Sequence, residues 1–376
     1  NSKTTWENLD KQIIEKLGTV AVSGGKIVIV SNTILSPSTK ATIEKFNAKY
    51  PSTQHVVYDQ VSAYGMLKAN EESFGTAMIP SYDFSKANVI VSIASDFLTS
   101  GVSPIEATKQ YAQGREVGEE KKEMSRHYQF ETILSLTGAN ADYRSQIKPS
   151  EEGAVAIELY NLIAAKAGRA SVGKGKSVTY LEDAANDLWA SRGKALVVAG
   201  SNDKAVQVIV NGINDMLGSY GSTILGTPVN FRQGNDEAMA NFVKEAQAGS
   251  VAAVIFYNCN PVYDHPMGAE LAEGLKKVGV KIATAYKEDE TGSLADFIAP
   301  DHHYLEAWND AEPKKGYYSI AQPAITPIFK SRAAQESLLV WAGETNVDYF
   351  EVLKNNWKNW FFTGGNFQAW WDKCLY

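Results

Sequence analysis

Cysteine is nearly missing from this chain: its 376 residues hold two, Cys259 and Cys374. An iron–sulphur cluster takes about four thiolate-type ligands, and a structural zinc site takes several Cys or His at short spacing. This stretch alone therefore holds no cysteine-ligated cluster, and two lone cysteines leave the redox compartment unreadable. Long apolar runs are missing too. The longest, such as 252–257 and 196–199, fall far short of the roughly 20 residues that span a bilayer as a helix. Positive charge is short as well: 36 Lys and Arg against 43 Asp and Glu leave a net charge of −7. Nucleic-acid binding rests on clustered cations, and these are scattered, which argues against a phosphate-backbone partner. Residues 1–5 carry neither a basic nor an apolar region, so no signal peptide is visible.

What is present is ordinary globular composition, 44% hydrophobic and 21% charged, in a length that suits two domains. Short β-branched runs alternate with helical periodicity, the pattern of a parallel sheet covered on both faces. The fold class is therefore α/β, with two Rossmann-like parallel-sheet domains. In the first half the spacing predicts strands over 26–30, 54–58, 88–94 and 127–132. Helices are expected over 36–50, 61–72 and 147–167, with Ser36 and Pro37 as N-cap and first-turn residue of the first. In the second half it predicts strands over 194–199, 251–257, 281–286 and 294–299, and helices over 204–217, 236–248 and 267–278.

The Gly- and Lys-rich stretch 168–177 reads as the joint between a first domain at 1–170 and a second at 180–342. An aromatic-rich segment, 343–376, follows. The two sheets are expected to be separate on either side of the joint. Gly168 and Gly173-Lys174 nearly spell a phosphate-binding loop, but Gly175 stands where Ser or Thr would meet Mg²⁺. A register shift restores Gly175-Lys176-Ser177 but puts Ala170 at the first Gly, and a helix precedes instead of a strand. Five of the eight tryptophans lie after position 340. Such crowding suggests a segment leading into further chain, with Trp357, Trp360, Trp370 and Trp371 packed poorly by this stretch alone. A helix folded back on its own domain is the other reading.

In parallel α/β sheets ligands sit beyond the carboxyl ends of the strands, where crossovers diverge. Three segments qualify: 94–99, 257–266 and 286–293. Ser95-Asp96 follows a strand end, where a carboxylate accepts ribose hydroxyls or caps a helix. Asn258-Cys259-Asn260-Pro261-Val262-Tyr263-Asp264-His265-Pro266 makes either a rigid ligand loop or a side-chain-bonded turn. Lys287-Glu288-Asp289-Glu290-Thr291 selects a cation or a ribose, or caps a turn. Asp301-His302-His303 with Glu306 has metal-ligand residue types, but neighbouring histidines on a strand point opposite ways, and a plain loop is the expectation. No Ser–His–Asp order, HExxH or GxGxxG pattern is present, and no catalytic residue is assigned.

Several motifs resemble the two central Rossmann-like domains of the molybdopterin oxidoreductase superfamily over roughly residues 6–371. The nearest resemblance is to its degenerate branch, the large iron–sulphur subunit of bacterial alternative complex III, often labelled an iron–sulphur-containing hydrogenase component. Lys86-Ala87-Asn88-Val89-Ile90-Val91-Ser92 with Asp96-Phe97-Leu98 is similar to the family's strand and turn, where cofactor-binding members carry Gly and Asn. Phe130-Glu131-Thr132 is similar to the Asp-Pro-Arg-x-Thr strand, with Glu131 for Asp and no Pro-Arg. Lys148-Pro149-Ser150-Glu151-Glu152 resembles the Pro-Gly-Thr-Asp helix entry, with Glu152 for Asp. Asn260-Pro261 resembles the Gly-x-Asn-Pro turn, with Asn258 for Gly. Asp289-Glu290-Thr291, Ala295-Asp296, Pro300, Leu305-Glu306, Gly316, Gln322-Pro323 and Pro327 match the scaffold that follows.

The resemblance implies a scaffold in which Ser95, Asp96, Glu131, Glu152, Asn258, Asn260 and Asp289 are vestiges of cofactor-binding positions and no cofactor or metal is held. Carboxylates at these positions would face a diphosphate. Iron–sulphur clusters belong to further parts of the parent chain, which together with membrane subunits are the partners. The implied setting is a quinol-oxidising electron-transfer complex on the periplasmic face of a bacterial membrane. Two alternatives remain: a genuine molybdopterin enzyme with a pterin dinucleotide between the domains, and a two-lobed solute-binding protein.

Overall fold

The computed structural model describes residues 3–119 and 121–376. The chain forms two compact units, one from the chain up to Ser62 together with Arg232–Tyr376, the other from Ala63–Phe231. The first unit is built on a five-stranded parallel sheet in the order Phe297–Ile298, Val280–Ala283, Ala253–Tyr257, Ile27–Ser31, Thr53–Val57. Every residue of Ile27–Ser31 is buried, so alternation divides its side chains between two apolar layers. Ile27 and Ile29 join Ile13, Leu17, Phe46 and Trp341 on one face, from the helices Trp6–Val22, Pro37–Lys49 and Ala334–Trp341. Val28 and Val30 join Phe242, Val243, Leu271 and Leu275 on the other. The strand reads as an unbroken β-branched run because both faces are covered.

The second unit repeats the design with a four-stranded parallel sheet, in the order Tyr143–Gln146, Arg126–Glu131, Val89–Ile93, Ala195–Ala199. Val89, Val91 and Ile93 pack with Leu159, Ile163, Leu188 and Ile213 on one face. Ile90, Leu196 and Val198 meet Phe84, Phe97 and Tyr111 on the other. Ser36 caps the helix Pro37–Lys49 as its position before proline suggests, its Oγ accepting from Thr39 N at 2.9 Å.

Both sheets contradict the division expected at 168–180. Ile27–Ser31 pairs in register with Ala253–Tyr257, and Val89–Ile93 pairs with Ala195–Ala199 across the Gly/Lys-rich stretch. Parallel neighbours need no local turn, so strand order leaves no mark in the sequence between them. The stretch itself folds back on the helix Glu152–Ala167. Gly168 ends that helix in the left-handed conformation, Asn161 bonds Val172 N and Gly173 O, and Lys176 pairs with Glu151. Gly168 is thus a helix cap, and no strand feeds the near-match to a phosphate loop.

Residues 343–376 are likewise part of the first unit, as the helices Tyr349–Phe361 and Phe367–Leu375. Trp357 and Trp371 are buried, which overturns the expectation of poor packing for those two; Trp370 is half-buried and Trp360 exposed. Trp357 Nε1 donates to buried Asp310 at 2.8 Å. Strands at Ile79–Tyr82, Tyr143–Gln146 and Ile224–Val229, and the hairpin Asn309–Lys314/Tyr317–Ala321, had no expectation attached, being short or rich in polar residues.

His127 is fully buried in the second sheet, and burial pushes its pKa from 6.5 down to about 4. The unfolded chain therefore binds a proton that the folded one refuses between these values. Stability should fall as pH drops from about 6.5 to about 4, by up to about 3 kcal/mol for this residue. Urea unfolding across that range checks it, and His127→Asn should show the shallower pH slope.

Candidate functional site

In the first unit the chain leaves Ile27–Ser31 towards Thr53–Val57 on one side. It leaves the adjacent strand Ala253–Tyr257 towards Val280–Ala283 on the other. The following loops diverge, and a crevice opens beyond the strand ends. It is a cleft of about 1160 Å³ lined in part by Asn32, Thr33, Asn258, Asn260, Asp289 and Asp301.

The polar side chains of its loops are bound to one another. Asn258 has a positive φ of 50°, its N–H donates to Thr284 Oγ1 at 3.1 Å, and its Oδ1 accepts from that hydroxyl at 2.8 Å. Its Nδ2 donates to Asp301. Asn260 Oδ1 accepts from Thr291 N at 3.0 Å and Thr291 Oγ1 at 2.7 Å, while its Nδ2 donates to Glu290 at 2.7 Å. Asp289 accepts from Gly292 N at 2.7 Å. Of the two readings of 258–266, the side-chain-bonded turn accounts for these contacts. Asp264 accepts from Tyr58 Oη and Gln60 Nε2, both at 2.7 Å. Cys259 is buried with Sγ 3.2 Å from Val30 O, and burial pushes its thiol well above the ordinary value, so it stays protonated and unreactive.

The second unit has its own divergence point, between Val89–Ile93 and Ala195–Ala199. Ala94 takes a φ of +53°, and a Cβ on Gly200 would stand 2.1 Å from Ala94 O. The two turns are in backbone contact and leave no gap there. Asp96 Oδ1 accepts from Thr137 N at 3.1 Å and Thr137 Oγ1 at 2.6 Å. The Ser95 carbonyl accepts from Ser92 Oγ and Gln129 Nε2. Gln129 also donates to Glu131, which accepts from Ser135 and forms an ion pair with Arg144 at 2.7 Å. Burial works against the charge on Glu131, but the bonds from Arg144, Ser135 and Gln129 outweigh it and hold the carboxyl below its usual range. Gly138 makes this possible, because any Cβ there would lie 1.9 Å from Glu131 Oε1.

The structure therefore places six of the seven positions in two sets, with Glu152 apart. Asn258, Asn260 and Asp289 share the cleft of the first unit. Ser95, Asp96 and Glu131 share the strand-end network of the second, and Glu152 begins the helix Glu152–Ala167, where burial raises its pKa. The oxygens of Asp96, Glu131 and Asp289 accept from the chain's own donors.

Asp301, His302, His303 and Glu306 form a loop, as expected. Asp301 accepts from His302 N and Ala334 N, and burial raises its carboxyl above the ordinary value. Glu306 accepts from His303 N and Ile328 N. Among the described residues no group of three or more His, Cys, Asp or Glu is arranged to hold a metal. Sequence reasoning did not single out Asn32, Thr33 or Gln335. The first two follow an apolar strand directly and carry the same strand-end signal; Gln335 arrives from a distant helix and carries none.

The positive φ at Asn258 separates backbone strain from lost bonds. Asn258→Ala and Asn258→Gly both lose the side-chain contacts to Thr284 and Asp301, but only alanine resists the left-handed conformation. Asn258→Ala should be less stable than Asn258→Gly by about 1 kcal/mol in urea unfolding. Equal stabilities would show that the turn relaxes.

No protein-family model matches the chain. A stretch of 113 residues, 29% of the chain, is 30% identical to the menaquinone reductase molybdopterin-binding-like subunit of Nitratidesulfovibrio vulgaris (strain Hildenborough) and spans 16% of that protein. Among solved structures, acetylene hydratase from Pelobacter acetylenicus superposes with a TM-score of 0.65 at 14% identity. The superposition covers 91% of this chain and 59% of that one. The formyltransferase/hydrolase complex of Methylorubrum extorquens with methylofuran gives a TM-score of 0.57 at 12% identity, covering 92% of this chain and 97% of the other. At such identities the structural likeness shows the fold alone. The chain thus spans less than two thirds of the first of these relatives. It is similar in fold to acetylene hydratase over 91% of its length, and in sequence to the menaquinone reductase molybdopterin-binding-like subunit over one stretch of 113 residues.

Proposed function

We propose that this chain is a molybdopterin-oxidoreductase-like scaffold that works without the pterin dinucleotide, as part of an iron–sulphur subunit in a quinol-oxidising membrane complex. The observation that carries this reading is the occupancy of the strand-end turns by the chain's own side chains. Asp289, Asn260 and Asn258 are bonded within the first unit's loops, and the second unit's turns touch at Ala94 and Gly200. A diphosphate needs close backbone approach and positive charge. The cleft instead carries Asp264, Asp289, Glu290, Asp301 and Asp310 beside one lysine, Lys287. Each carboxylate within a few ångströms of a phosphate costs about 1 kcal/mol in water and more in a partly buried site.

The partial sequence match to a menaquinone reductase subunit supports a quinone-linked complex as the setting. In this reading the electrons pass through clusters held elsewhere in the parent chain. The partners are its other domains and membrane subunits, on the periplasmic face of a bacterial membrane. The second reading, a molybdopterin enzyme, is favoured by the size of the remaining cleft and by the fold of acetylene hydratase.

Elemental analysis separates the two. Protein made in cells that synthesise the molybdenum cofactor should contain molybdenum far below stoichiometry and no pterin fluorescence after oxidative release. Near-stoichiometric molybdenum would replace the scaffold reading with the enzyme one.

A further inference from the structure

The bonds that lace the loops of the first unit do not fill its cleft. About 1160 Å³ remains, just above the ~300–1,000 Å³ usual for ligand pockets. Its wall divides into a polar floor and an aromatic rim. On the floor Gln335 is only 7% exposed. Its Nε2 donates to Thr39 Oγ1 at 3.0 Å, and among the described residues no donor reaches its Oε1, so an acceptor on a buried side chain opens on the cleft. Around the rim Tyr263, Tyr286 and Tyr304 are 74, 63 and 75% exposed. Three such rings gathered on one concave polar site are a recognition feature.

The floor and rim together select a chemistry. The five lining carboxylates are held by hydrogen-bond donors, and among the described residues no Lys or Arg forms an ion pair with any of them. Asp264 accepts two bonds, Asp301 three and Asp310 four. Their charge is spread over the chain's own N–H and O–H groups, which leaves lone pairs for weak donors but repels a phosphate. Hydroxyl groups are such donors, and the apolar C–H face of a saturated ring stacks on the negative face of a tyrosine.

We propose that this cleft binds a neutral, hydroxyl-rich ring compound of the saccharide class, an inference that rests on reading the site as free of the dinucleotide. Gln335 Oε1 and the carboxylates accept from its hydroxyls, and Tyr304 with Tyr263 covers its ring faces. Trp308 lines the same cleft and reports occupancy through its fluorescence.

The test titrates the intact chain with glucose, galactose, maltose and cellobiose, and separately with guanosine diphosphate and spermidine. At least one saccharide should bind saturably with a Kd below about 10 mM. Tyr304→Ala should weaken it about tenfold or more, as should Gln335→Leu, while Tyr317→Ala, outside the cleft, should leave it unchanged. Tyr304 is exposed, so its variant tests the site even where the Gln335 variant fails to fold. No saccharide binding, binding indifferent to Tyr304→Ala, or preference for spermidine would overturn the inference alone. Guanosine diphosphate binding in the cleft would overturn it together with the cofactor-free reading.

Discussion

Ile27–Ser31 and Ala253–Tyr257 run side by side in parallel, Ile27 opposite Ala253 and Ser31 opposite Tyr257, and no residue of either is exposed. Parallel strands cannot be joined by a tight turn, so the chain between them is free to build other structure, including the whole second unit. The pair also fixes where chemistry can happen. Its two carboxyl ends lie adjacent while the crossovers leave in opposite directions, and the cleft opens between the departing loops. Ten apolar or small side chains buried on two faces hold this geometry, each large one contributing about 1.5–3 kcal/mol.

The loops that leave this pair satisfy themselves. Asn258 binds Thr284 and Asp301, and Asn260 binds Thr291 and Glu290. Each bond ties one strand's loop to another. In the second unit the same role falls to Asp96 with Thr137, and to Glu131 with Arg144 and Ser135. Polar groups that could approach a dinucleotide in a more open turn are here part of the turn's own hydrogen bonding.

Asp310 performs a comparable task at the other wall of the cleft. It accepts from Ser36 Oγ, from Ser38 N and Oγ, and from Trp357 Nε1. A buried carboxylate of this kind is tolerated only with such a set of donors. It ties the start of the helix Pro37–Lys49 to the helix Tyr349–Phe361 and explains why the aromatic C-terminal helices belong to the first unit.

Apolar periodicity alone determined the α/β class, most buried strands and the strand ends at which ligand loops lie. It did so because a strand covered on both faces is apolar at nearly every position, as in Ala195–Ala199 and in Ile27–Ser31 up to its final serine. Residue type marked Asn258, Asn260, Asp289 and Asp96 as unusual strand-end residues, and the resemblance added Glu131. Only the tertiary structure decided which strands are neighbours, and with that the division into units at Ser62 and Phe231 instead of 168–180. Only it showed what the polar residues bind, because Asp301 and Asp310 find their partners at large sequence separation. A hydrophobic pattern records that a residue is buried, through its contact with water, but it carries no record of which buried residue lies alongside.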